Sequence, residues 1–285
     1  MSRKRSFKQN EGCLFLVATP IGNMEDMTFR GIQTLEIADL ILAEDTRVTG
    51  LLLSHFSIKT PQMSFHEHNA RVKIPEIMQR LQAGEKIAQV SDAGMPSISD
   101  PGHDLVKEAI SANIAVVTIP GASAGISALI ASGLAPQPHI FYGFLPRKSG
   151  QQKDFFEQKK MYPETQIFYE SPHRIQTTLE NMLDIYGNRQ VVIARELTKV
   201  YEEYIRGTIS EVIADIRGND IKGECIILVE GVTETAPKLA ANQSAKQFVE
   251  ELIAQGIKTN AAIKQVAKTY GLNRQDVYKQ YHDIT

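Results

Sequence analysis

The chain has 285 residues, of which 42% are hydrophobic and 22% charged, and its 31 basic and 33 acidic residues give a net charge of −2. A chain of this length and composition can bury a large core and is long enough for two domains. The nearly balanced charge excludes a polycation that binds nucleic acid over its whole surface, although a local basic face is still compatible with such binding.

Two short apolar runs carry the two cysteines, Cys13 and Cys225. Because both runs resemble strands and the four-ligand spacing of a zinc site is absent, we expect buried thiols rather than a disulfide or a metal site. The run CLFLVA, which follows the basic N-terminal segment 1–12, is too short for a signal peptide core or a membrane span. We therefore expect a cytoplasmic protein that does not bind a membrane.

Short apolar runs alternate with amphipathic patterns through most of the chain. Several runs are rich in β-branched residues and almost continuously apolar, as in parallel strands that are covered on both faces. The alternation predicts an α/β fold with right-handed crossovers. The predicted strands are 13–18, 39–43, 86–90, 115–119, 139–142, 166–169, 190–194 and 224–229, and the predicted helices include 28–37, 72–83, 101–111 and 173–186. Residues 200–209 favour an edge or antiparallel strand, which predicts a mixed sheet in the second half.

The domain boundaries follow from changes in composition. A helix of small residues begins after Pro120 and suits the entry to a second domain, so we place one α/β domain at 13–119 and another at 120–231. The polar stretch 232–243 is typical of a linker. Segment 244–285 is predicted to be helical, with a helix-turn-helix-like pattern over 264–278. Basic residues outnumber acidic ones by seven to four from 238 to 285, so this tail either contacts a nucleic-acid backbone or packs as a small bundle.

Polar motifs follow the predicted strands. TPIGN comes after the first strand, EDTR after the second and VSDAGMPSISDPGH after the third, while YESPHR and ARELTK follow later strands and Gly223-Glu224 precedes the last. Because ligands bind open α/β sheets at the carboxyl ends of strands, this repeated placement favours a shared cleft. Taken singly, the motifs have ordinary explanations: a tight turn at 19–23, a helix N-cap at Asp45 or Thr46, and solvated ion pairs elsewhere.

Three motifs resemble parts of a nucleotide-binding site, a metal site or a nucleic-acid contact. TPIGN lacks the G-x-G-x-x-G and G-x-x-x-x-G-K-[ST] patterns, which argues against a dinucleotide or P-loop site. His66 and His68 are two residues apart with no nearby cysteine, so loop histidines are favoured over metal ligands. Phe144, in the stretch FLPRK, either meets a base beside a phosphate or packs next to two solvated cations.

Eight motifs in a fixed order define a resemblance that extends from about Leu14 to Gly231. They are TPIGN (19–23), AEDTR (43–47), VSDAGMPSISDPG (90–102), PGASA (120–124), FYGFLPRK (141–148), YESPHR (169–174), ARELTK (194–199) and GECIILVEG (223–231). In these motifs the chain resembles the bacterial 16S rRNA cytidine 2′-O-ribose methyltransferases of the tetrapyrrole-methylase superfamily. It departs from them at Met95, where Thr is more usual, and at PGAS, where PGPS or PGPC is commoner; neither change affects a charged position.

The resemblance implies a two-domain tetrapyrrole-methylase-like α/β fold with a small C-terminal helical segment. It also implies a class III methyltransferase that binds S-adenosylmethionine in the cleft between the domains, forms a homodimer and needs no metal. Asp92 is expected to hold polar groups of the cofactor. The positions that match cofactor contacts of the superfamily are Pro20, Ile21, Asp92, Gly94, Met95, Ala122, Ser123, Tyr169, Ala194 and Cys225.

The implied substrate is a cytidine in the decoding region of 16S rRNA, within the small ribosomal subunit. Because a ribose 2′-hydroxyl is a poor nucleophile and the sulfonium methyl is already activated, the protein must align the oxygen and help to remove its proton. Glu170, Glu196 and Asp100 are the candidates for the base, and Arg195 is expected to clamp a phosphate beside them. The predicted RNA contacts are Arg47, Arg147, Lys148, Arg174, Lys199, Lys264, Lys268 and Arg274.

Three alternatives remain at this point. A methyltransferase for a corrin or porphyrin precursor would share the fold, although a basic helical tail has no evident role with such a substrate. A ribosome-binding protein without activity would bind RNA and transfer no methyl group. A nicotinamide-dependent oxidoreductase is disfavoured by the missing glycine fingerprint.

Overall fold

The computed structural model describes residues 11–98, 102–219, 221–232, 244–270 and 272–282, apart from the side chain of Lys268. These residues belong to two compact units, Met1–Gly231 and Val232–Thr285. The predicted catalytic residue Asp100 lies outside the described residues.

The first half of the larger unit is a parallel sheet of five strands in the order β3-β2-β4-β1-β5. Its strands are β1 (Cys13–Val17), β2 (Leu40–Ala43), β3 (Gln62–Ser64), β4 (Lys86–Val90) and β5 (Ala115–Ile119), and its helices are α1 (Phe29–Ile37), α2 (Thr46–His55), α3 (Ala70–Gln82) and α4 (Gly102–Ser111). Alternate residues of β1 enter two different hydrophobic clusters, with Phe15 in one and Leu14 in the other. Both faces of the sheet are therefore buried, which explains the continuous apolar runs.

The second half is a mixed sheet in the order β6-β7-β10-β8-β9. Its strands are β6 (His139–Phe144), β7 (Thr165–Glu170), β8 (Gln190–Arg195), β9 (Glu203–Thr208) and β10 (Cys225–Val229), and its helices are α5 (Ala124–Ser132), α6 (Ser149–Lys159), α7 (Ile175–Tyr186) and α8 (Ile209–Gly218). The predicted edge strand near 200–209 is confirmed as β9, which pairs antiparallel with β8. The predicted mixed sheet is confirmed as well.

The position of β10 decides which motifs meet. This strand lies antiparallel between β7 and β8, and Cys225 at its start pairs with Glu170 and with Arg195 at their ends. The start of one strand and the ends of two others therefore share an edge of the sheet. This brings YESPHR, ARELTK and Gly223-Glu224 together although they are distant in sequence.

The described residues of the smaller unit form a bundle of three helices: α9 (Ala245–Ala254), α10 (Thr259–Tyr270) and α11 (Arg274–Tyr281). Val249, Ile263, Val266 and Val277 are among the residues buried in its own hydrophobic core. The predicted helical tail is confirmed, and α10 and α11 form the two helices of the predicted pattern.

Candidate active site

A cavity of about 430 Å³ lies between the two sheets. The first half supplies residues that follow β4, the second half supplies residues from the end of β7 and the start of β10, and the start of α5 completes the wall. Predicted cofactor residues that line this cavity are Ile21, Gly94, Met95, Ser123, Tyr169 and Cys225.

A second cavity of about 240 Å³ adjoins it and contains the predicted cofactor residues Pro20 and Asp92 in its wall. Ile21, Ser91, Ala93 and Glu224 line both cavities. Ala122 and Ala194 line neither of them and instead belong to a hydrophobic cluster that also contains Ile21. The predicted cofactor contacts are thus divided between a larger cavity, a smaller cavity and the packing behind them.

The loops after β1 and β4 are joined at the base of the cleft. Thr19 and Gly94 exchange two backbone hydrogen bonds of 2.9 and 3.1 Å, and the Thr19 hydroxyl donates to the carbonyl of Ser91 at 3.0 Å. Gly94 has a φ of +79°, a conformation that favours glycine. A Cβ on Gly94 would also approach Ile21 at 3.4 Å. The glycine therefore permits the turn that carries the cavity wall.

Glu170 is 4% exposed and its carboxylate is fully engaged. The Ser171 N–H donates to Oε1 at 2.8 Å, while the Thr178 hydroxyl donates to Oε2 at 2.8 Å and Arg174 lies 3.3 Å from the same oxygen. Thr178 in turn contacts the buried amide of Gln152. These hydrogen bonds fix the turn between β7 and α7.

Glu196 joins the loop after β8 to the start of β10. Its Oε1 accepts the Glu224 N–H at 3.1 Å and Lys199 Nζ at 3.0 Å. The hydrogen bond from the Glu224 N–H, and to a smaller extent the one from Lys199, lowers the pKa of Glu196. Burial lowers the pKa of Lys199, but its carboxylate partners Glu196 and Glu224 raise it by more, so the net shift is upward. Glu196 is therefore ionised and Lys199 protonated at neutral pH. The ion pair joins two loops at the cleft, and Glu196 is a weak base.

Two arginines that are predicted to meet phosphates bind protein groups in this structure. Arg195 Nε donates to Glu203 at 2.6 Å, and its Nη1 donates to the Lys222 carbonyl at 3.3 Å. Arg174 Nη2 donates to the Pro146 carbonyl at 2.6 Å. Both guanidinium groups therefore hold loops at the edge of the second sheet.

The rim beside β2 and β4 is acidic. Asp92 Oδ1 accepts the Asp45 N–H at 3.0 Å, and the Asp92 N–H donates to Glu44 at 3.4 Å, so the two loops are joined. Asp45 caps α2 as predicted, since its Oδ1 accepts the Arg47 N–H at 2.8 Å. The hydrogen bonds from Arg47 lower the pKa of Asp45 to about 2.

Five of the remaining predicted RNA contacts are exposed. Arg147 and Lys148 follow β6, the Arg47 side chain is 89% exposed, and Lys264 and Arg274 lie on the surface of the helical unit. Lys199 is half-buried in its ion pairs. The side chain of Lys268 is outside the described part of the structure.

The two cysteines are buried, as predicted from the sequence. Cys13 and Cys225 are free and buried, and burial raises the pKa of Cys225 to about 11, so its thiol stays protonated. His66 and His68 are ring neighbours, with centroids 5.9 Å apart. Across the described residues, no group of three or more His, Cys, Asp or Glu side chains is arranged to hold a metal ion, and no helix is long and apolar enough to cross a membrane.

Sequence reasoning missed some residues of the two cavities. Phe144 was recognised as an aromatic beside two cations, but its position at the larger cavity depends on the pairing of β6 with β7. Val48, Thr49 and Leu52 lie on α2 and line the smaller cavity. Their spacing is that of an ordinary amphipathic helix, so the sequence carries no signal that would single them out.

Comparisons with known proteins agree with this architecture. The family model of tetrapyrrole (corrin/porphyrin) methylases matches residues 13–213. The ribosomal RNA small subunit methyltransferase I of Streptococcus pyogenes serotype M1 is 60% identical over 100% of both chains. The proteins of the same name from Halalkalibacterium halodurans and Bacillus subtilis (strain 168) are 50% and 46% identical, each over 99% of both chains.

The X-ray structure of cobalt precorrin-4 methyltransferase, a cobalamin biosynthetic enzyme, superposes with a TM-score of 0.57. It covers 76% of this chain and 94% of that one at 18% identity, so the likeness concerns the fold alone. The chain belongs to the tetrapyrrole methylase family and, within it, to the proteins named ribosomal RNA small subunit methyltransferase I. It is a methyltransferase that uses S-adenosylmethionine.

The larger cavity fits this cofactor in size and chemistry. Its volume of about 430 Å³ falls within the usual range of small-molecule sites, roughly 300–1,000 Å³. Apolar side chains suit an adenine ring, small residues leave the backbone accessible, and carboxylates at the edge suit a positively charged sulfonium and amino group. The apolar side chains are Ile21, Leu197 and Ile226, the small residues are Ala93, Gly94 and Ser123, and the carboxylates are Glu44 and Glu224.

Proposed function

We propose that this protein methylates the ribose 2′-oxygen of a cytidine in the decoding region of 16S rRNA. The observation that carries the proposal is a cofactor-sized cleft, built by both sheets, in a chain that matches rRNA small subunit methyltransferases over its full length. The smaller cavity shares part of its wall with the larger one, so a second reactant bound there would lie beside the proposed cofactor site.

The proposed reaction requires no covalent bond between the protein and the reactants. S-adenosylmethionine, when bound, would supply an activated methyl group on a positively charged sulfur for transfer to the ribose oxygen. The hydroxyl proton must also depart. The residues of the cleft have to align the oxygen, exclude water and keep the acceptor close to a group or a solvent path that takes the proton.

The predicted catalytic residues have different roles in this proposal. Glu170, Glu196 and Arg195 act as positioning residues, because their polar atoms already hold loops at the cleft. Asp100 stays a candidate for the base, since it follows the loop that carries Gly94 and Met95. Exposed Glu224 lines both cavities and is a further carboxylate within the site.

The substrate is proposed to be the small ribosomal subunit in the cytoplasm, bound by a homodimer. Arg47, Arg147 and Lys148 on the larger unit, together with Lys264, Lys268 and Arg274 on the helical unit, would contact phosphates. Each phosphate contact releases counterions, so binding is expected to weaken steeply as salt rises.

The test is incubation with tritiated S-adenosylmethionine and small subunits from a strain that lacks the gene, followed by mapping of the labelled nucleotide. We expect label on one ribose of 16S rRNA. If protein that binds the cofactor labels neither subunits nor free 16S rRNA, the proposed substrate is wrong. Transfer to a corrin or porphyrin precursor would then replace it.

A further inference from the structure

Phe144 is the last residue of β6 and lines the larger cavity, yet it is 70% exposed. Its side chain therefore stands at the opening of the cavity, between the site and the solvent. Its apolar ring is therefore accessible to a molecule that reaches the opening of the cavity.

The ring of Phe144 is supported from one side. It makes an edge-to-face contact with Tyr169, with ring centroids 5.4 Å apart. Tyr169 makes a second such contact with Phe141, with ring centroids 5.0 Å apart. Edge-to-face pairs are favourable aromatic arrangements. Because Phe144 is highly exposed, part of its ring surface is still available to a further aromatic group.

The backbone that follows Phe144 is fixed by hydrogen bonds. Leu145 is 5% exposed and packs in the core. The Pro146 carbonyl accepts Arg174 Nη2 at 2.6 Å and the buried amide of Gln152 at 3.0 Å. Phe144 is therefore presented on a rigid support, and a ligand that binds it pays little to order it.

Two cations come directly after this support. Arg147 and Lys148 are both exposed, three and four residues beyond Phe144. An aromatic ring next to cations is the combination that recognises single-stranded nucleic acid, in which the base stacks and the backbone phosphates meet the cations.

We propose that Phe144 is a stacking platform for a base of the rRNA strand as it enters the cleft, with Arg147 and Lys148 on the neighbouring phosphates. The inference rests on the proposed function and deepens it, because it names a residue that positions the strand. Stacking is sequence-tolerant, so Phe144 would hold the strand in place and leave the choice of nucleotide to other contacts.

The test compares Phe144→Leu with Phe144→Trp, because leucine removes the ring face and tryptophan keeps one. Phe29→Leu is the matched control, since Phe29 is 88% exposed and lines neither cavity. The assay uses tritiated S-adenosylmethionine and small subunits from a strain that lacks the gene. We expect Phe144→Leu to raise KM for subunits by roughly five- to a hundredfold, with Phe144→Trp and Phe29→Leu close to wild type.

Two further readouts separate stacking from other roles. Calorimetry should give the same Kd for S-adenosylmethionine in all four proteins, and their mass in solution should be the same. A wild-type KM in Phe144→Leu would overturn the inference. So would weaker cofactor binding, which would assign the ring to the cofactor site, or a smaller mass, which would assign it to a contact between copies. A wild-type protein that labels no RNA would overturn the proposed function itself.

Discussion

At the scale of single residues, Glu196 shows how one carboxylate can hold two loops of the cleft. Its bonds to the Glu224 N–H and to Lys199 lower its pKa in the folded protein. Because the folded value lies below the unfolded value of about 4.3, the ionised carboxylate stabilises the fold at neutral pH. That contribution is lost as the pH falls from the unfolded value through the folded one.

We expect Glu196→Gln to lower the free energy of unfolding near neutral pH and to have a smaller effect at a pH below the folded pKa. Urea unfolding of both proteins at the two pH values measures this. Glu36→Gln, on an exposed position of α1, is the control and should change little at either pH. If Glu196→Gln lowers the free energy of unfolding equally at both pH values, the charge of Glu196 does not contribute to stability.

Gly223 adjoins the same carboxylate. It has a φ of +86°, and an added Cβ would lie 2.2 Å from Glu196 Oε1. Gly223→Ala should therefore cost about 1–2 kcal/mol of stability through backbone strain and displacement of Glu196. Gly150→Ala is the matched control, because Gly150 lies in α6 with nothing within 4 Å of its added Cβ. Thermal unfolding should show a lower Tm for Gly223→Ala and no loss for Gly150→Ala.

The sequence indicated which residue types lie at the strand ends, and the structure places most of them around the cleft. It could not show which of them are already engaged with protein groups. Arg195 was expected beside a phosphate, yet it pairs with Glu203 because β9 runs antiparallel along β8. Partners of this kind depend on strand order, which is a long-range property that local patterns do not encode.

At the scale of elements, the β7–α7 turn depends on the buried Glu170. We expect Glu170→Gln to destabilise the protein by about 1–3 kcal/mol, because a glutamine amide has one acceptor oxygen, so its NH2 group would face either the Ser171 N–H or the Thr178 and Arg174 donors. Turnover should fall as well, while the pH–rate profile keeps its shape, since Glu170 acts by positioning. Glu180→Gln is the control, because Glu180 lies on the same helix and its side chain is 40% exposed, in an ion pair with Arg217. Loss of one limb of the pH profile in Glu170→Gln would identify Glu170 as the base instead.

The elements themselves differ in how far the sequence predicts them. The eight predicted strands are confirmed, and the signal is clearest in β1, β2 and β10, whose residues are all apolar and buried. Strand β3 (Gln62–Ser64) was not predicted, since its three half-buried residues carry no periodic signal. The place of β10 between β7 and β8 was not predicted either, although it assembles half of the cleft.

At the scale of the whole molecule, the helical unit has its own core and the larger unit contains both cavities. We expect deletion of 243–285 to leave cofactor binding intact and to abolish methylation of the small subunit, because the proposed RNA contacts Lys264, Lys268 and Arg274 are removed. Calorimetry with S-adenosylmethionine and the tritium assay measure the two effects. Full methylation by the truncated protein would exclude an RNA-binding role for the tail.

The proposed function requires that the cleft deliver a methyl group to a ribose oxygen of 16S rRNA. The decisive measurement is nucleoside analysis of 16S rRNA by mass spectrometry, in a strain without the gene and in the same strain with the gene restored. We expect a 2′-O-methylcytidine in the decoding region that is absent without the gene and returns with it. An unchanged methylation pattern, or the loss of a methyl group from a base rather than a ribose, would contradict it.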